Sequence, residues 1–321
     1  EMSSSLVGSE MCIRDSTEVH MISYQDCDPI LSWKGLTDAI QVGHQLKKAE
    51  ISDTFLYRNN DTLLSRAAWI DGIGIAIKSA TIFPGNKELK KPAINGAVNL
   101  FDDKTGELNA VIDFHLVTKW KTAGDSILAA KLLARRNSQN ILILGAGTVA
   151  HSLRQAYGHV FPNAQFSVWN RTSEHAEQFA DKFSNTKAVY DLQTAISAAD
   201  IISAATMSNE PLINGKWLKP GQHIDLIGAY RPDMREADDR TLQRSNIFVD
   251  SFDTTIDHIG ELKIPISRGV IRKENVISDF YNIQAFRRSS DDEITLFKNG
   301  GGAHLDLMTA NFILQTWLEN N

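Results

Sequence analysis

Cysteine is almost missing from this chain: Cys12 and Cys27 are the only two in 321 residues. A disulfide framework is therefore not expected, and a reducing cytoplasm suits the chain best. Long apolar runs are missing as well; none approaches the roughly 20 residues that a membrane-spanning helix needs. There is no excess of positive charge, since 33 Lys and Arg face 39 Asp and Glu, for a net charge of −6. That balance gives no electrostatic reason to bind nucleic acid or an anionic membrane. No His/Cys cluster has metal-ligand spacing, so no metal is expected. Internal repeats and low-complexity tracts are absent. What remains is a globular composition, 42% hydrophobic, long enough for one large or two medium domains.

Residues 1–16 do not fit the rest. The stretch Ser3-Ser4-Ser5-Leu6-Val7-Gly8-Ser9-Glu10-Met11-Cys12-Ile13-Arg14-Asp15-Ser16 has neither helical nor strand periodicity. It lacks the apolar segment of a signal peptide and reads as a non-native scar, with the native start near Met21.

Apolar spacing over 28–48 (Ile30, Leu31, Leu36, Ile40, Val42, Leu46) predicts an amphipathic helix. Leu63-Leu64, Ala67–Trp69 and Gly74–Ile82 read as short strands, with turns at Asp71-Gly72 and Pro84-Gly85-Asn86. Ala97–Phe101 and Leu108–Asp113 flank a turn and form a hairpin signal. The first section is thus a small antiparallel sheet with a helix.

The period changes near residue 117. A helix is predicted over Thr118–Arg135, and strand and helix patterns then alternate: Asn140–Leu144, Val149–Val160, Gln165–Trp169, Ser173–Phe183, Lys187–Tyr190, Leu192–Ala198, Asp200–Ala204, His223–Ile227, Asp239–Ser245, Asn246–Val249. Such alternation implies an α/β, doubly wound parallel sheet of the Rossmann type. Ala303–Leu318 is a further apolar helix. The expected division is a substrate and dimerisation domain over 17–120, completed by 300–321, with a nucleotide domain over 121–299.

Ile141-Leu142-Ile143-Leu144 is continuously apolar, as a central parallel strand buried on both faces requires. It runs into Gly145-Ala146-Gly147-Thr148-Val149-Ala150 and then a helix. Gly145 permits the tight turn, Gly147 lets backbone approach a pyrophosphate, and Ala150 lets the helix pack on the strand. The helix N-terminus favours the anion. These residues, with Thr148 and Val149, are expected to hold a dinucleotide. The second strand ends in Asn170-Arg171-Thr172, where an NAD-specific site usually carries a carboxylate. Arginine beside amide and hydroxyl groups suits a 2′-phosphate, so NADPH is expected over NADH, with NADH possible. Thr206 ends the fourth strand, where Rossmann ligands bind. Lys78 is a charge in an otherwise apolar strand, costly unless it is paired or lines a pocket.

Several blocks together resemble the ornithine cyclodeaminase/μ-crystallin family. They are Gly74–Lys78 with Phe83-Pro84-Gly85-Asn86, Thr118–Ser126, Arg231–Glu236 with Val249-Asp250-Ser251, and Thr295–His304. The resemblance implies a homodimer joined through the N-terminal sheet domain, which the C-terminal helix completes. It also implies chemistry on α-amino acids or their cyclic imines. By the same resemblance Lys78 lies on the substrate. Lys121 stands where cyclodeaminases carry an arginine on the substrate carboxylate, and Trp120-Lys121-Thr122-Ala123 is similar to the pyrroline-2-carboxylate reductase branch. Arg58 and Arg66 are both candidates for the remaining carboxylate contact, and the sequence does not choose between them. Gly301, in the loop ahead of His304 and Asp306, is expected to border the substrate.

The tract after the fifth strand departs from the cyclodeaminases. Tyr230 stands two residues after Gly228, where they carry a catalytic aspartate. Tyr230 is expected to orient substrate or relay a proton, with Asp233 a nearby acid. Glu236 reads as a helix-capping carboxylate. The resemblance therefore implies NADPH-dependent reduction of Δ1-pyrroline-2-carboxylate and Δ1-piperideine-2-carboxylate, giving L-proline and L-pipecolate. The alternatives are an ornithine or lysine cyclodeaminase, an alanine-type amino-acid dehydrogenase, and a non-catalytic NADPH-binding protein.

Overall fold

The computed structural model describes residues 18–321; the segment expected to be a scar, residues 1–16, lies outside the described residues. Elements follow in the order β1 (His20–Ile22), α1 (Tyr24–Cys27), α2 (Trp33–Gly43), β2 (Glu50–Arg58), β3 (Asp61–Ile70), β4 (Gly74–Ile82), β5 (Ile94–Phe101), β6 (Leu108–Asp113) and α3 (Phe114–Leu133). Next come β7 (Asn140–Leu144), α4 (Thr148–Val160), β8 (Gln165–Trp169), α5 (Ser173–Ala180), β9 (Thr186–Ala188), α6 (Leu192–Ala198), β10 (Ile201–Ala204) and β11 (His223–Leu226). The chain ends with α7 (Asp239–Gln243), β12 (Asn246–Val249), α8 (Phe252–Thr255), α9 (Gly260–Ser267), β13 (Val276–Ser278), β14 (Thr295–Lys298) and α10 (Ala303–Asn320).

Two sheets result. One has the order β1-β6-β5-β4-β3-β2; its β1–β6 pairing is parallel and the rest antiparallel. The other is fully parallel in the order β13-β12-β14-β11-β10-β7-β8-β9. β7 sits between β8 and β10, so the chain reverses its winding direction there. That crevice, outside the strands' carboxyl ends, is where doubly wound sheets bind ligands. Helix α3 packs on both sheets, and α10 packs against β3, β4, α2 and α3. No helix among the described residues is long and apolar enough to cross a membrane.

The α/β class and the alternation stand, while several boundaries shift for local reasons. The helix expected over 28–48 is α2 alone. Asp28–Ile30 is a 3-10 turn, Ser32 caps α2 by accepting from Gly35 N–H, and His44 closes it by bonding Ile40 C=O. The short strands around 63–69 form one strand, β3, because β2 pairs along its whole length. β2 itself carries no period-2 burial signal: all nine of its residues are exposed at the sheet edge. α3 begins four residues earlier than expected, since Asp113 accepts from His115 and Leu116 N–H as N-cap. β14, which the alternation missed, fills the gap between β11 and β12.

Candidate active site

The cofactor end is built from backbone. β7 is buried on both faces and feeds Gly145, whose φ of +102° favours glycine and whose added Cβ would lie 2.7 Å from Ala205 C=O. A Cβ on Gly147 would meet nothing within 4 Å, so the space over the turn is open. Gly147 is the N-cap of α4 and offers no side-chain cap, leaving the first N–H groups of a 13-residue helix free for an anion. Ala146, Gly147, Thr148 and Val149 are exposed or half-buried there, and Ala150 is buried under the sheet. These features fit a dinucleotide pyrophosphate.

The neighbouring strand ends are locked by one carboxylate. Glu236 accepts from Thr206 N–H and Oγ1, both at 2.7 Å, and from Gly228 and Ala229 N–H at 2.8 and 3.1 Å. Burial raises its pKa to about 7, the nearby Lys298 opposing. Glu236 is therefore not a helix cap, as the sequence suggested; Asp238 caps α7 instead, accepting from Thr241 N–H. Gly228 leaves no room for a side chain, since a Cβ would lie 1.9 Å from Thr206 C=O. At the end of β8, Asn170 is half-buried and bonds Thr172 C=O, while Arg171 and Thr172 are exposed.

The substrate end is built from side chains drawn from distant parts of the chain. Alternation along β4 puts Lys78 on the same buried face as Ala76 and Ala80, whose small side chains leave it room. Lys78 Nζ donates to Asp306 Oδ1 and Thr118 Oγ1, both at 2.9 Å, and lies over the Phe114 ring. Lys121, one turn beyond Thr118 on α3, donates to Gly301 C=O at 3.0 Å and stands 3.4 Å from Asp306 Oδ1. Arg66 is the cross-strand partner of Lys78. Its Nη1 donates to Gly301 C=O at 2.8 Å, and its other nitrogens grip Asp53 at 3.2 and 2.6 Å.

Three cations thus surround Asp306, which is 1% exposed. Burial alone would raise its carboxyl, but Lys121, Lys78 and Arg66 outweigh that and hold it at about 2. Burial lowers Lys78 to about 8; attraction to Asp306 opposes this, and Lys121 and Arg66 add to it. Like charges side by side in a sheet are unfavourable; Asp306 compensates them from α10, and Asp53 holds Arg66 from its other side on β2. Three cations thus converge on one buried carboxylate, Asp306, and Arg66 is held in addition by Asp53.

The structure separates the remaining expectations. Of the two arginines, Arg66 joins the cluster, whereas Arg58 pairs with Asp61 in the exposed β2–β3 turn, 3.0 Å away. Asp233 does not join it either: it is exposed and held by Arg231 at 3.0 Å. Tyr230 is 59% exposed just beyond β11, outside the buried cluster. Asp306 and Thr118 are contacts that the sequence reading had not given roles. A buried lysine's need for a partner was the available signal, but nothing in the sequence placed residue 306 beside residue 78. Among the described residues no group of His, Cys, Asp or Glu could hold a metal ion.

The chain is similar to known proteins in sequence and in fold. The model of the ornithine cyclodeaminase/mu-crystallin family matches residues 69–321. A Delta(1)-pyrroline-2-carboxylate reductase of Paracoccus denitrificans is 47% identical over 308 residues, covering 94% of this chain and 98% of that protein. The Thermococcus litoralis Delta(1)-pyrroline-2-carboxylate reductase, solved with NADH and L-proline, superposes with a TM-score of 0.86 at 28% identity, covering 94% of this chain and 98% of that one. An archaeal alanine dehydrogenase dimer with bound NAD gives a TM-score of 0.86 at 26% identity, covering 94% and 97%. On the family model and the 47% relative together, the chain belongs to the ornithine cyclodeaminase/mu-crystallin family.

Proposed function

We propose that this protein is a nicotinamide-dependent oxidoreductase that reduces the C=N bond of cyclic α-imino acids. Δ1-Pyrroline-2-carboxylate would give L-proline, and Δ1-piperideine-2-carboxylate would give L-pipecolate. The observation that carries the reading is the cluster of Arg66, Lys78 and Lys121 gathered around the single buried carboxylate Asp306. A cyclic imino acid brings a carboxylate that such cations can hold, and a ring nitrogen that must be protonated as C2 is reduced. The names of the Paracoccus and Thermococcus relatives support the same reaction.

Arg66 and Lys121, both directed at Gly301 C=O, are the carboxylate ligands in this reading. Lys78 supplies the proton to nitrogen. Its value of about 8 lets it hold a proton at neutral pH and release it readily, and Asp306 and Thr118 fix its Nζ in place. When bound, the nicotinamide supplies hydride. Gly145, Ala146, Gly147, Thr148 and Val149 hold its pyrophosphate, with Thr206 and Gly228 beside the crevice. Tyr230 borders the mouth of the crevice, and Asp233, engaged by Arg231 on the surface, takes no part. Asn170, Arg171 and Thr172 favour NADPH over NADH because they present a cation and no carboxylate.

The exposed edge strand β2, with Phe55, Leu56 and Tyr57 all exposed, supports a homodimer joined through this sheet. The scarcity of cysteine supports a cytoplasmic location. The domain division near residues 120 and 300 fits this reading, with α3 continuous across the first boundary. The test is initial-rate oxidation of NADPH and of NADH with each imine. Saturable turnover, with a higher kcat/KM for NADPH, is expected. Folded protein that turns over neither imine would overturn the reaction, and a clear preference for NADH would overturn the cofactor assignment.

A further inference from the structure

The two cations that this reading assigns to the substrate carboxylate share one backbone acceptor. Arg66 Nη1 reaches Gly301 C=O at 2.8 Å from β3, and Lys121 Nζ reaches it at 3.0 Å from α3. A peptide oxygen that accepts from a guanidinium and an ammonium occupies the place a carboxylate oxygen would take. The loop around it is Gly300-Gly301-Gly302, with Gly301 at φ +67°. Its two ends differ. Asp250 anchors the entry, accepting from Gly301 N–H at 2.8 Å and from Gly300 N–H. The Gly301–Gly302 peptide has no such anchor beyond the two cations: Gly302 N–H donates to no backbone carbonyl or side chain of the described residues.

We propose that the Gly301–Gly302 peptide is a substrate-specificity element that reverses when the imino acid binds. The inference rests on the proposed reaction and deepens it. In the resting arrangement the carbonyl satisfies Arg66 and Lys121. Reversal withdraws the carbonyl, frees both cations for the carboxylate, and turns Gly302 N–H toward it as a third donor. The rotation takes φ of Gly302 from −60° to about +120°, a region open to glycine and to few other residues. It also swings ψ of Gly301 by about half a turn. Any other L-residue at φ +67° is confined to a narrow left-handed well and holds one peptide orientation, not both.

Gly301→Ala fits sterically, since its Cβ would lie 3.4 Å from Lys121 Nζ and 3.5 Å from Asn299 Oδ1. Gly301→Asn, which tolerates positive φ better, guards against poor folding of the alanine variant. Each is compared with wild type for NADPH affinity and for reduction of Δ1-pyrroline-2-carboxylate and of Δ1-pyrroline, which lacks the carboxylate. The expected result is a KM for the carboxylate substrate raised about tenfold or more, with NADPH affinity and kcat/KM for Δ1-pyrroline each within about twofold of wild type. An unchanged KM, or equal losses with both imines, overturns the proposal. A crystal structure with L-proline decides it without turnover: Gly301 C=O still accepting from Arg66 and Lys121 beside a bound carboxylate also overturns it. Failure of wild type to reduce Δ1-pyrroline-2-carboxylate defeats the reaction instead, and the L-proline structure still reads the loop.

Discussion

The two ends of the site are made in opposite ways. The pyrophosphate turn at the cofactor end is contiguous and carries no charged side chain; it is formed by the backbone of Gly145–Ala150 at an open helix terminus. The proposed substrate end is discontinuous, largely buried and charged. It joins Arg66 of β3, Lys78 of β4, Lys121 of α3, Gly301 and Asp306 of α10. A backbone site tolerates side-chain changes around it, because its donors belong to the main chain. In a buried charge cluster each group compensates another, so removing one leaves its partners unpaired in a poorly solvating interior. Substitutions at the two ends should therefore fail differently.

The largest effect is expected at Asp306. Asp306→Ala leaves three cations without their central carboxylate, and losing one partner of a buried ion pair costs about 3–5 kcal/mol. Chemical denaturation should show a stability loss of that order, and imine reduction should fall at least about a hundredfold. Stability and activity close to wild type would show that the cluster is not coupled as described.

Next is the pH response of Lys78. Above about 8 its ammonium loses the proton assigned to the ring nitrogen, so kcat should fall about tenfold per pH unit there. Dinucleotide affinity should stay flat over the same range, and Lys78→Arg should abolish turnover rather than move the limb. The stability sign is the same for the two partners, but the pH windows differ. Lys78 is lowered from 10.5 to about 8, so its contribution is present above 10.5 and lost as pH falls through about 8. Asp306 is lowered from 3.8 to about 2, so its contribution is present above 3.8 and lost only as pH falls through about 2.

A contrast between two arginines sharpens the same point. Arg66→Ala should raise KM for the imino acid by roughly 10- to 100-fold, as expected for loss of a charge-assisted carboxylate contact. Arg58→Ala should change it less than about twofold, because Arg58 is itself exposed and its ion pair is with Asp61 in the turn, away from the cluster. Similar losses from both would mean that the carboxylate lies nearer the β2–β3 turn. The smallest effect belongs to the cofactor end. Arg171→Ala should lower the NADPH to NADH ratio of kcat/KM by about tenfold and leave KM for the imine unchanged; an unaltered ratio removes Arg171 from cofactor selection.

The contrast also explains what the sequence could and could not disclose. The glycine turn, its buried strand and the helix behind it are local, so their order in the chain carries the signal. Lys78 and Lys121 stood out as charges within apolar or resembling segments, but the residue that holds them together is 228 positions beyond Lys78. No period or spacing reports a contact at that range. Arg58 and Arg66 looked equivalent because strand alternation alone does not say which cross-strand neighbour a side chain meets; only the register, with Arg66 opposite Lys78, separates them. Glu236 was misjudged for a related reason. A carboxylate close ahead of a helix resembles a cap, yet Asp238 already fills that role, and the ends of β10 and β11 left four donors to satisfy. β2 was missed because an exposed edge strand shows no buried face.

The proposed separation of hydride and carboxylate handling into two ends of one site governs what each variant should lose. Its most direct test is Lys78→Ala, assayed for reduction of Δ1-pyrroline-2-carboxylate and for NADPH binding in the same preparation. The prediction is a loss of at least about a hundredfold in kcat/KM with the NADPH Kd within about twofold of wild type. Turnover retained near the wild-type rate, or NADPH binding lost together with turnover in a folded protein, would contradict it.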